Sequence, residues 1–162
     1  MKPRVYIETT IPSFYHEDRP QPEMVARRNW TREWWDEERQ KYELVTSAAV
    51  HRELNRAVPR KGRGVLDMLT GLPELALTVE VAAIESEYVR RKLMPAGVGG
   101  DATHLAAASY YGCHFLLTWN CTHLANASKV GHIHYVNNLL GLMTPVLTTP
   151  LELLNLKENP LT

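Results

Sequence analysis

Four polar residues interrupt apolar stretches of the sequence, and their types suit metal-dependent chemistry: Glu8, Glu53, Asp101 and Asn120. Glu8 ends a short β-rich run, and Glu53 projects from the apolar face of a predicted amphipathic helix. Asp101 opens an alanine-rich helical pattern on its packed face, and Asn120 follows an apolar run typical of a buried strand. Buried carboxylates repel one another, so a cluster of them favours a divalent cation such as Mg²⁺ or Mn²⁺, which prefers oxygen ligands.

Each of these residues also has an interpretation that needs no function. Glu8 can be a charge at the end of a strand, Glu53 can pair with an arginine, and Asn120 can form a turn. Asp101 can stand at the start of a helix, where its negative charge suits the positive end of the helix dipole. All four residues in this order along one chain favour a shared site over four separate structural roles.

The elements that must bring these residues together alternate between strand and helix. The first run, residues 4–8, is apolar on both faces, which is typical of a central strand in a parallel sheet. We expect a turn after it, a helix that Ser47 caps and that ends before Pro59, and a basic loop at 60–64. Strands are predicted at 4–8, 42–46, 75–78, 114–119 and 145–148, and helices at 23–41, 48–57, 65–72, 79–93, 101–111, 129–140 and 150–154.

This alternation predicts one α/β domain over residues 1–162, in which functional groups gather at the carboxyl ends of parallel strands. Eighteen basic residues balance eighteen acidic ones, so any nucleic-acid binding must come from a local patch. The two cysteines, Cys113 and Cys121, are predicted to be free thiols in a reducing cytosol. No apolar run approaches the roughly 18 residues of a membrane span, and no signal peptide is recognisable, so we expect a cytoplasmic protein without membrane contact.

Several short segments stand out by their order and spacing: VYIETT, VHRELNRA, GGDATHLAAA, and LLTWN followed by CTHLANA. Taken together, they resemble PIN domains, and within that family the toxin ribonucleases of the bacterial VapBC toxin–antitoxin type. The likeness runs from residue 4 to about residue 154 and includes the ending TPLELL. It implies a compact three-layer α/β/α sandwich around a mostly parallel sheet of four or five strands. It also implies a metal-dependent ribonuclease.

Carried over by position, the resemblance places Glu8, Glu53 and Asp101 at the first, second and third acid of the family. Asn120 falls where the family often has a fourth acid, and this neutral residue lowers the charge of the site. The first acid is usually aspartate, so Glu8 is one methylene longer than the pattern. Hydroxyl positions near the metal in such proteins are matched by Thr10 and Thr118.

The resemblance gives each residue an expected role in hydrolysing an RNA phosphodiester bond. Glu8 and Asp101 are the expected principal ligands of Mg²⁺ or Mn²⁺, directly or through water. Glu53 is a further ligand or the group that positions the attacking water. Asn120 is expected to bind a metal-bound water or the scissile phosphate, since its amide both donates and accepts. The alternative, which Glu8 and Asn120 favour, is a PIN-like domain without turnover that binds RNA or a protein.

Other side chains suggest partners but have equally simple structural interpretations. A basic stretch beside Glu53 predicts contact with an RNA backbone or else a solvated helix face: Arg52, Arg56, Arg60 and Lys61. The tryptophans at 30, 34 and 35 could stack on bases, receive an antitoxin helix, or pack within a helical hairpin. The resemblance further implies an antitoxin partner and a homodimer.

His104 follows Asp101 by three residues, so it is expected either to hydrogen-bond close to the metal site or to be a satisfied core histidine. Zinc is not expected, because His132 and His134 stand two apart on a helix and no cysteine pair has zinc spacing. The glycines at 97, 99 and 100 lack the GK[ST] sequence of a phosphate-binding loop.

Overall fold

Five short strands form the central sheet of the protein, whose computed structural model describes residues 1–95 and 100–158. All neighbouring strands are parallel, and their order is β3-β2-β1-β4-β5. The predicted central position of the first strand is confirmed, because Val5, Tyr6 and Ile7 are completely buried. The strands are β1 (Arg4–Ile7), β2 (Glu43–Ser47), β3 (Glu74–Leu75), β4 (Phe115–Leu117) and β5 (Val146–Thr148).

Helices flank this sheet, so the predicted α/β/α class is confirmed. No described helix combines the length and the apolar character needed to cross a membrane. The helices are α1 (Thr10–Tyr15), α2 (Pro22–Glu33), a π-helical turn (Trp34–Glu38), a 3₁₀ turn (Arg39–Lys41), α3 (Ala48–Lys61), α4 (Gly64–Asp67), α5 (Val79–Arg90), α6 (Asp101–Tyr110), α7 (Ala127–Leu139) and α8 (Pro150–Glu158).

Several predicted boundaries are wrong for identifiable reasons. The segment after Glu8 forms α1 and is not only a turn. Pro59 lies inside the last turn of α3, where its missing N–H removes only a single helical hydrogen bond. The helix ends at Lys61 and is followed by Gly62, whose φ of 84° lies in the left-handed region. Consequently the basic loop predicted at 60–64 begins two residues later. Strand β3 starts one residue before its predicted position, and α8 continues to Glu158.

Helix α6 is buried along most of its length because its side chains are small. Residues 102 and 104–109 are all buried, and α6 packs against α5. Short alanine side chains let the helix backbone approach its neighbours closely. This close approach brings the first turn of α6, with Asp101 and His104, to the carboxyl edge of the sheet.

A buried carboxylate ties α1 to the end of α3. The Glu17 side chain is only 1% exposed and lies 2.7 Å from Arg19 Nε and 3.5 Å from Lys61 Nζ. Lys61 also donates to the Ser13 carbonyl oxygen at 3.0 Å. Lys61 was expected either to contact an RNA backbone or to lie on a solvated face, but it is largely buried and bound within the protein, whereas Arg60 is exposed.

The hydrogen bond from Arg19, against the opposing effect of burial, lowers the pKa of Glu17 to about 2. Since the pKa in the folded protein lies below the usual value near 4.5, the stabilisation is complete above that value and is lost as the pH falls toward 2. We expect Glu17→Gln to lower the free energy of unfolding by about 1–3 kcal/mol at pH 7, and the difference from wild type to shrink below pH ~4.5. Urea unfolding at several pH values measures this.

Glu23→Gln is the matched control, because Glu23 also pairs with an arginine, Arg27, but its side chain is 67% exposed. An exposed pair of this kind contributes only about 0.2–1 kcal/mol. Equal losses in the two variants, or a loss for Glu17→Gln that does not change with pH, would contradict the assigned role of the buried pair.

Candidate active site

The carboxylate of Glu8 is held at the end of the central strand by two threonines. Both hydroxyls donate to Glu8 Oε1, that of Thr10 at 2.6 Å and that of Thr118 in a short bond, and the Thr10 backbone N–H donates to Oε2 at 3.1 Å. Glu8 is 3% exposed. The two predicted hydroxyl positions therefore meet the first predicted acid, because β1 and β4 are neighbours with Ile7 opposite Leu117.

A second carboxylate, Glu53, is held by a buried histidine. His104 Nε2 lies 2.6 Å from Glu53 Oε1, and His104 Nδ1 lies 2.7 Å from the hydroxyl of Tyr6. That hydroxyl is also 2.7 Å from Ser47 Oγ. Ser47 was expected to cap α3, but its side chain makes no capping bond and instead ends this chain of hydrogen bonds.

Burial and charge act in opposite directions on these groups. Burial raises the pKa of Glu8, and the charge of His104 with the threonine hydrogen bonds offsets only part of that rise. Burial also raises the pKa of Glu53, but the hydrogen bond and charge of His104 outweigh it and the pKa is lowered. Burial lowers the pKa of His104, while the hydrogen bond to Glu53 and the charges of Glu8, Glu53 and Asp101 raise it overall. The acids therefore favour the charged form of the imidazole.

Gly100 allows Glu53 and His104 to meet at the start of α6. A Cβ at this position would overlap Glu53 Oε1 and would lie 2.8 Å from His104 Nε2. The requirement is for space, because a side chain here would push the two groups apart. The glycines at 97 and 99, considered with Gly100 in the sequence, lie outside the described residues.

Asp101 occupies the first turn of α6 and is partly exposed. Its charge acts on His104, one helical turn away. The structure thus brings the third predicted acid to the same end of the molecule as the His104–Glu53 pair. Asp101 keeps the solvent access that a metal ligand or water-binding group requires.

An open cleft of about 320 Å³ adjoins Glu53. Two of the predicted RNA-binding residues, Arg52 and Arg56, line it, and the charge of Arg56 further lowers the pKa of Glu53. Arg60 does not line this cleft. The cleft thus combines two arginines, which can bind phosphate oxygens, with two carboxylates, Glu53 and Glu85. Its remaining lining residues are Ala49, Gly100 and Thr103.

The side-chain oxygen of Asn120 accepts the backbone N–H groups of Thr122 and His123, at 3.2 and 3.0 Å. This contact corresponds to the turn-forming interpretation of the residue. The Asn120 backbone N–H donates to Thr118 Oγ1 at 2.9 Å, so Asn120 adjoins one of the two threonines that hold Glu8. Within the residues that the structure describes, its amide nitrogen makes no hydrogen bond and can still act as a donor.

The tryptophans of the first long helical segment serve mainly as core. Trp34 and Trp35 are 0% and 5% exposed, which excludes them as a surface for an antitoxin or for stacked bases. Trp30 is partly exposed and stacks on Trp119, with ring centroids 6.2 Å apart. The Trp119 backbone N–H donates to Thr10 Oγ1 at 2.8 Å, so this aromatic pair supports one of the two threonines that hold Glu8.

The donor set has the chemistry of a site for a hard divalent cation. Glu8, Asp101 and Glu53 offer carboxylate oxygens, although His104 occupies one oxygen of Glu53. Across residues 1–95 and 100–158, no three His, Cys, Asp or Glu side chains are arranged to hold one ion together. Mg²⁺ commonly keeps several waters and takes only one or two carboxylates, so the residues fit an ion held in that manner.

Sequence reasoning missed two members of the site, Tyr6 and Ser47. Tyr6 is separated from Glu8 by one residue, so the two-residue period of a strand places both side chains on the same face of β1. That spacing was a usable signal. Ser47 carried none, since serine before a helix predicts a cap. The predicted free thiols are confirmed, with Cys113 buried and Cys121 exposed.

The parallel sheet and the flanking helices form an α/β/α fold with the predicted acids at the carboxyl edge of the sheet. The fold is similar to that of a chain in the crystal structure of VapBC2 from Rickettsia felis bound to a DNA fragment from their promoter. The TM-score is 0.51 and the identity is 14%, over 90% of this chain and 98% of that chain. No family model and no curated protein matches the sequence.

Proposed function

We propose that the protein is a Mg²⁺- or Mn²⁺-dependent endoribonuclease and the toxin of a toxin–antitoxin pair. The observation that carries the proposal is the meeting of Glu8, Glu53 and Asp101 around His104 beside a cleft lined by arginines. Burying several acids together is costly unless a cation offsets their charge. A PIN-like fold supports a nuclease, and the two free thiols suit the cytoplasm.

Glu8 and Asp101 would hold the ion, directly or through water. When bound, such an ion supplies a more acidic water and stabilises charge on the phosphate. Glu8 is oriented for this by Thr10 and Thr118, so its carboxylate loses little freedom on binding.

The RNA backbone would enter through the cleft, where Arg52 and Arg56 bind phosphate oxygens. Glu53, at the wall of the cleft, would accept a hydrogen bond from the attacking water. The amide nitrogen of Asn120 would donate to a phosphate oxygen or to a metal-bound water, since the amide oxygen is fixed in its turn.

Asp101→Asn tests the catalytic assignment. Purified wild-type protein is expected to cleave RNA with Mn²⁺ or Mg²⁺ and to stop when EDTA is added. The variant should be slower by about 100-fold or more, because it loses a charge that holds the ion. Rates are measured from single-turnover cleavage of several labelled RNAs, with both proteins purified identically.

Asp67→Asn is the matched control, because Asp67 is an exposed acid in the first turn of α4. It should cleave like wild type. Equal rates for Asp101→Asn and wild type would refute the assignment of Asp101. A wild-type protein that binds these RNAs but cleaves none of them with either metal would instead establish the binding module without turnover.

The double substitution Arg52→Ala, Arg56→Ala tests the path of the RNA. In an Asp101→Asn background, which keeps the RNA intact, we expect weaker binding for every RNA sequence. The slope of log K against log salt should fall by about 0.7 for each lost phosphate contact on a single strand. Arg60→Ala is the control and should change little, because Arg60 lies outside the cleft. If Arg60→Ala weakened RNA binding as much as the double substitution, the proposal that RNA binds in the cleft would be wrong.

The proposed partners are an antitoxin and a second copy of the chain. The VapBC2 likeness supports the antitoxin. The second copy is supported by exposed apolar side chains around α7 and β5, a region in which Lys129 is the one charged residue between 125 and 151. Large uncharged apolar surfaces are typical of homodimer interfaces. These side chains are Val130, Tyr135, Leu139, Met143 and Val146.

Light scattering after size exclusion measures both partners. We expect the purified chain to have twice the mass of 18.4 kDa, and Val146→Lys to reduce it toward the monomer. Co-expression with the product of an adjacent small gene should give a heavier complex that no longer cleaves RNA. A monomeric wild type, or an adjacent product that does not bind, would contradict the respective partner.

A further inference from the structure

Four polar groups form one continuous hydrogen-bonded chain from the core of the protein to the cleft. It runs from Ser47 through Tyr6 and His104 to Glu53, with consecutive distances of 2.7, 2.7 and 2.6 Å. Ser47, Tyr6 and His104 are each 0% exposed, whereas the Glu53 side chain is 26% exposed. The chain thus has a buried end and one end that reaches solvent at the cleft.

Packing alone does not account for this arrangement. A buried polar group contributes little net stability, and replacing both partners of a hydrogen bond by apolar groups of similar shape is often neutral. Phenylalanine at position 6 and leucine at position 104 would fill the same core. Instead, each ring carries a polar atom directed at the next member, and Gly100 leaves space for the last contact.

This series of hydrogen bonds restricts the side chain of one carboxylate, Glu53. Glu53 is on α3, one helical turn beyond the buried Ala49, and would otherwise have the conformational freedom of a long side chain at a cleft wall. His104 holds one of its oxygens, and Tyr6 in turn fixes the orientation of the imidazole ring. A positioned carboxylate is what a water-orienting group requires.

We propose that Tyr6 and His104 are positioning residues that hold Glu53 as the group that orients the attacking water. This inference rests on the proposed ribonuclease function. It selects one of the two roles that the sequence leaves open for Glu53, since His104 holds the carboxylate by one oxygen at the wall of the cleft. The metal would then be held by Glu8 and Asp101.

Two substitutions at position 104 separate this role from packing. The side-chain nitrogen of glutamine reaches the place of His104 Nε2, so His104→Gln keeps a donor for Glu53. The side-chain amide of asparagine reaches only the place of Nδ1, so His104→Asn keeps the contact with Tyr6 and loses Glu53. Both variants remove the ring and keep a neutral amide, and they differ from each other by one methylene. A third variant, Tyr6→Phe, removes only the hydroxyl oxygen and leaves the ring unchanged.

The measurements are kcat and KM for RNA cleavage with Mn²⁺, together with the melting temperature of the metal-free proteins. We expect His104→Asn to lose about 10- to 100-fold in kcat and Tyr6→Phe about 10-fold, each with little change in KM. His104→Gln should keep kcat within about 5-fold of wild type, a rescue by the variant that preserves the donor. The melting temperatures of the two position-104 variants should be similar.

A second readout needs neither RNA nor metal. With ¹⁵N-labelled histidine, the Nε2 resonance of His104 is expected to shift when Glu53 is changed to alanine, and the Nδ1 resonance to shift in Tyr6→Phe. Both signals should stay in place in Glu85→Ala, which changes another acid lining the cleft.

The outcomes are distinguishable. If the wild type cleaves RNA but the two position-104 variants have equal kcat, or Tyr6→Phe keeps full kcat, the positioning role is wrong and the nuclease stands. If Nε2 does not respond to Glu53→Ala, the contact is absent and the role is again wrong. If the wild type cleaves no RNA, the proposed function fails and the positioning role fails with it, whatever the resonances show.

Discussion

The burial of Glu8 at the end of the central strand is the constraint on which the rest of the site depends. Desolvation of a carboxylate is expensive, and at 3% exposure little water remains to offset it. The protein offsets it with donors from two elements, Thr10 at the start of α1 and Thr118 after β4. Because these elements meet only when β4 lies beside β1, the strand order and the charge at the site are coupled.

The same constraint explains the composition of α6. The second acid, Glu53, is held by His104, which lies on a helix whose remaining buried side chains are mostly alanine. A bulkier helix would hold the imidazole farther from the sheet, and a side chain at position 100 would displace it from Glu53. The small residues of α6 and Gly100 therefore stabilise the site by letting His104 come close to the sheet and to Glu53, although they make no polar contact of their own.

Local sequence signals predicted the elements well and the side-chain partners less well. The parallel sheet, the central β1 and the start of α6 at Asp101 follow from apolar runs and helical spacing, which are properties of neighbours along the chain. Ser47 and Lys61 were misjudged because each has an ordinary local role, a helix cap and a basic surface residue. Tertiary contacts decide otherwise, since Ser47 bonds Tyr6 and Lys61 pairs with Glu17. Pro59 was also misjudged from local signals, because whether a proline breaks a helix depends on its distance from the end of that helix.

Two acids with basic partners show how the fold separates a structural carboxylate from one available for chemistry. Glu17 is 1% exposed and has two cationic partners, Arg19 and Lys61, which engage both of its oxygens. His104 contacts Glu53 at one oxygen, and the Glu53 side chain is 26% exposed at the cleft. The first arrangement neutralises the carboxylate with two cations, while the second fixes the group and keeps part of it accessible. A carboxylate that is held at one oxygen and open at the cleft can act on a substrate without first having to be ordered.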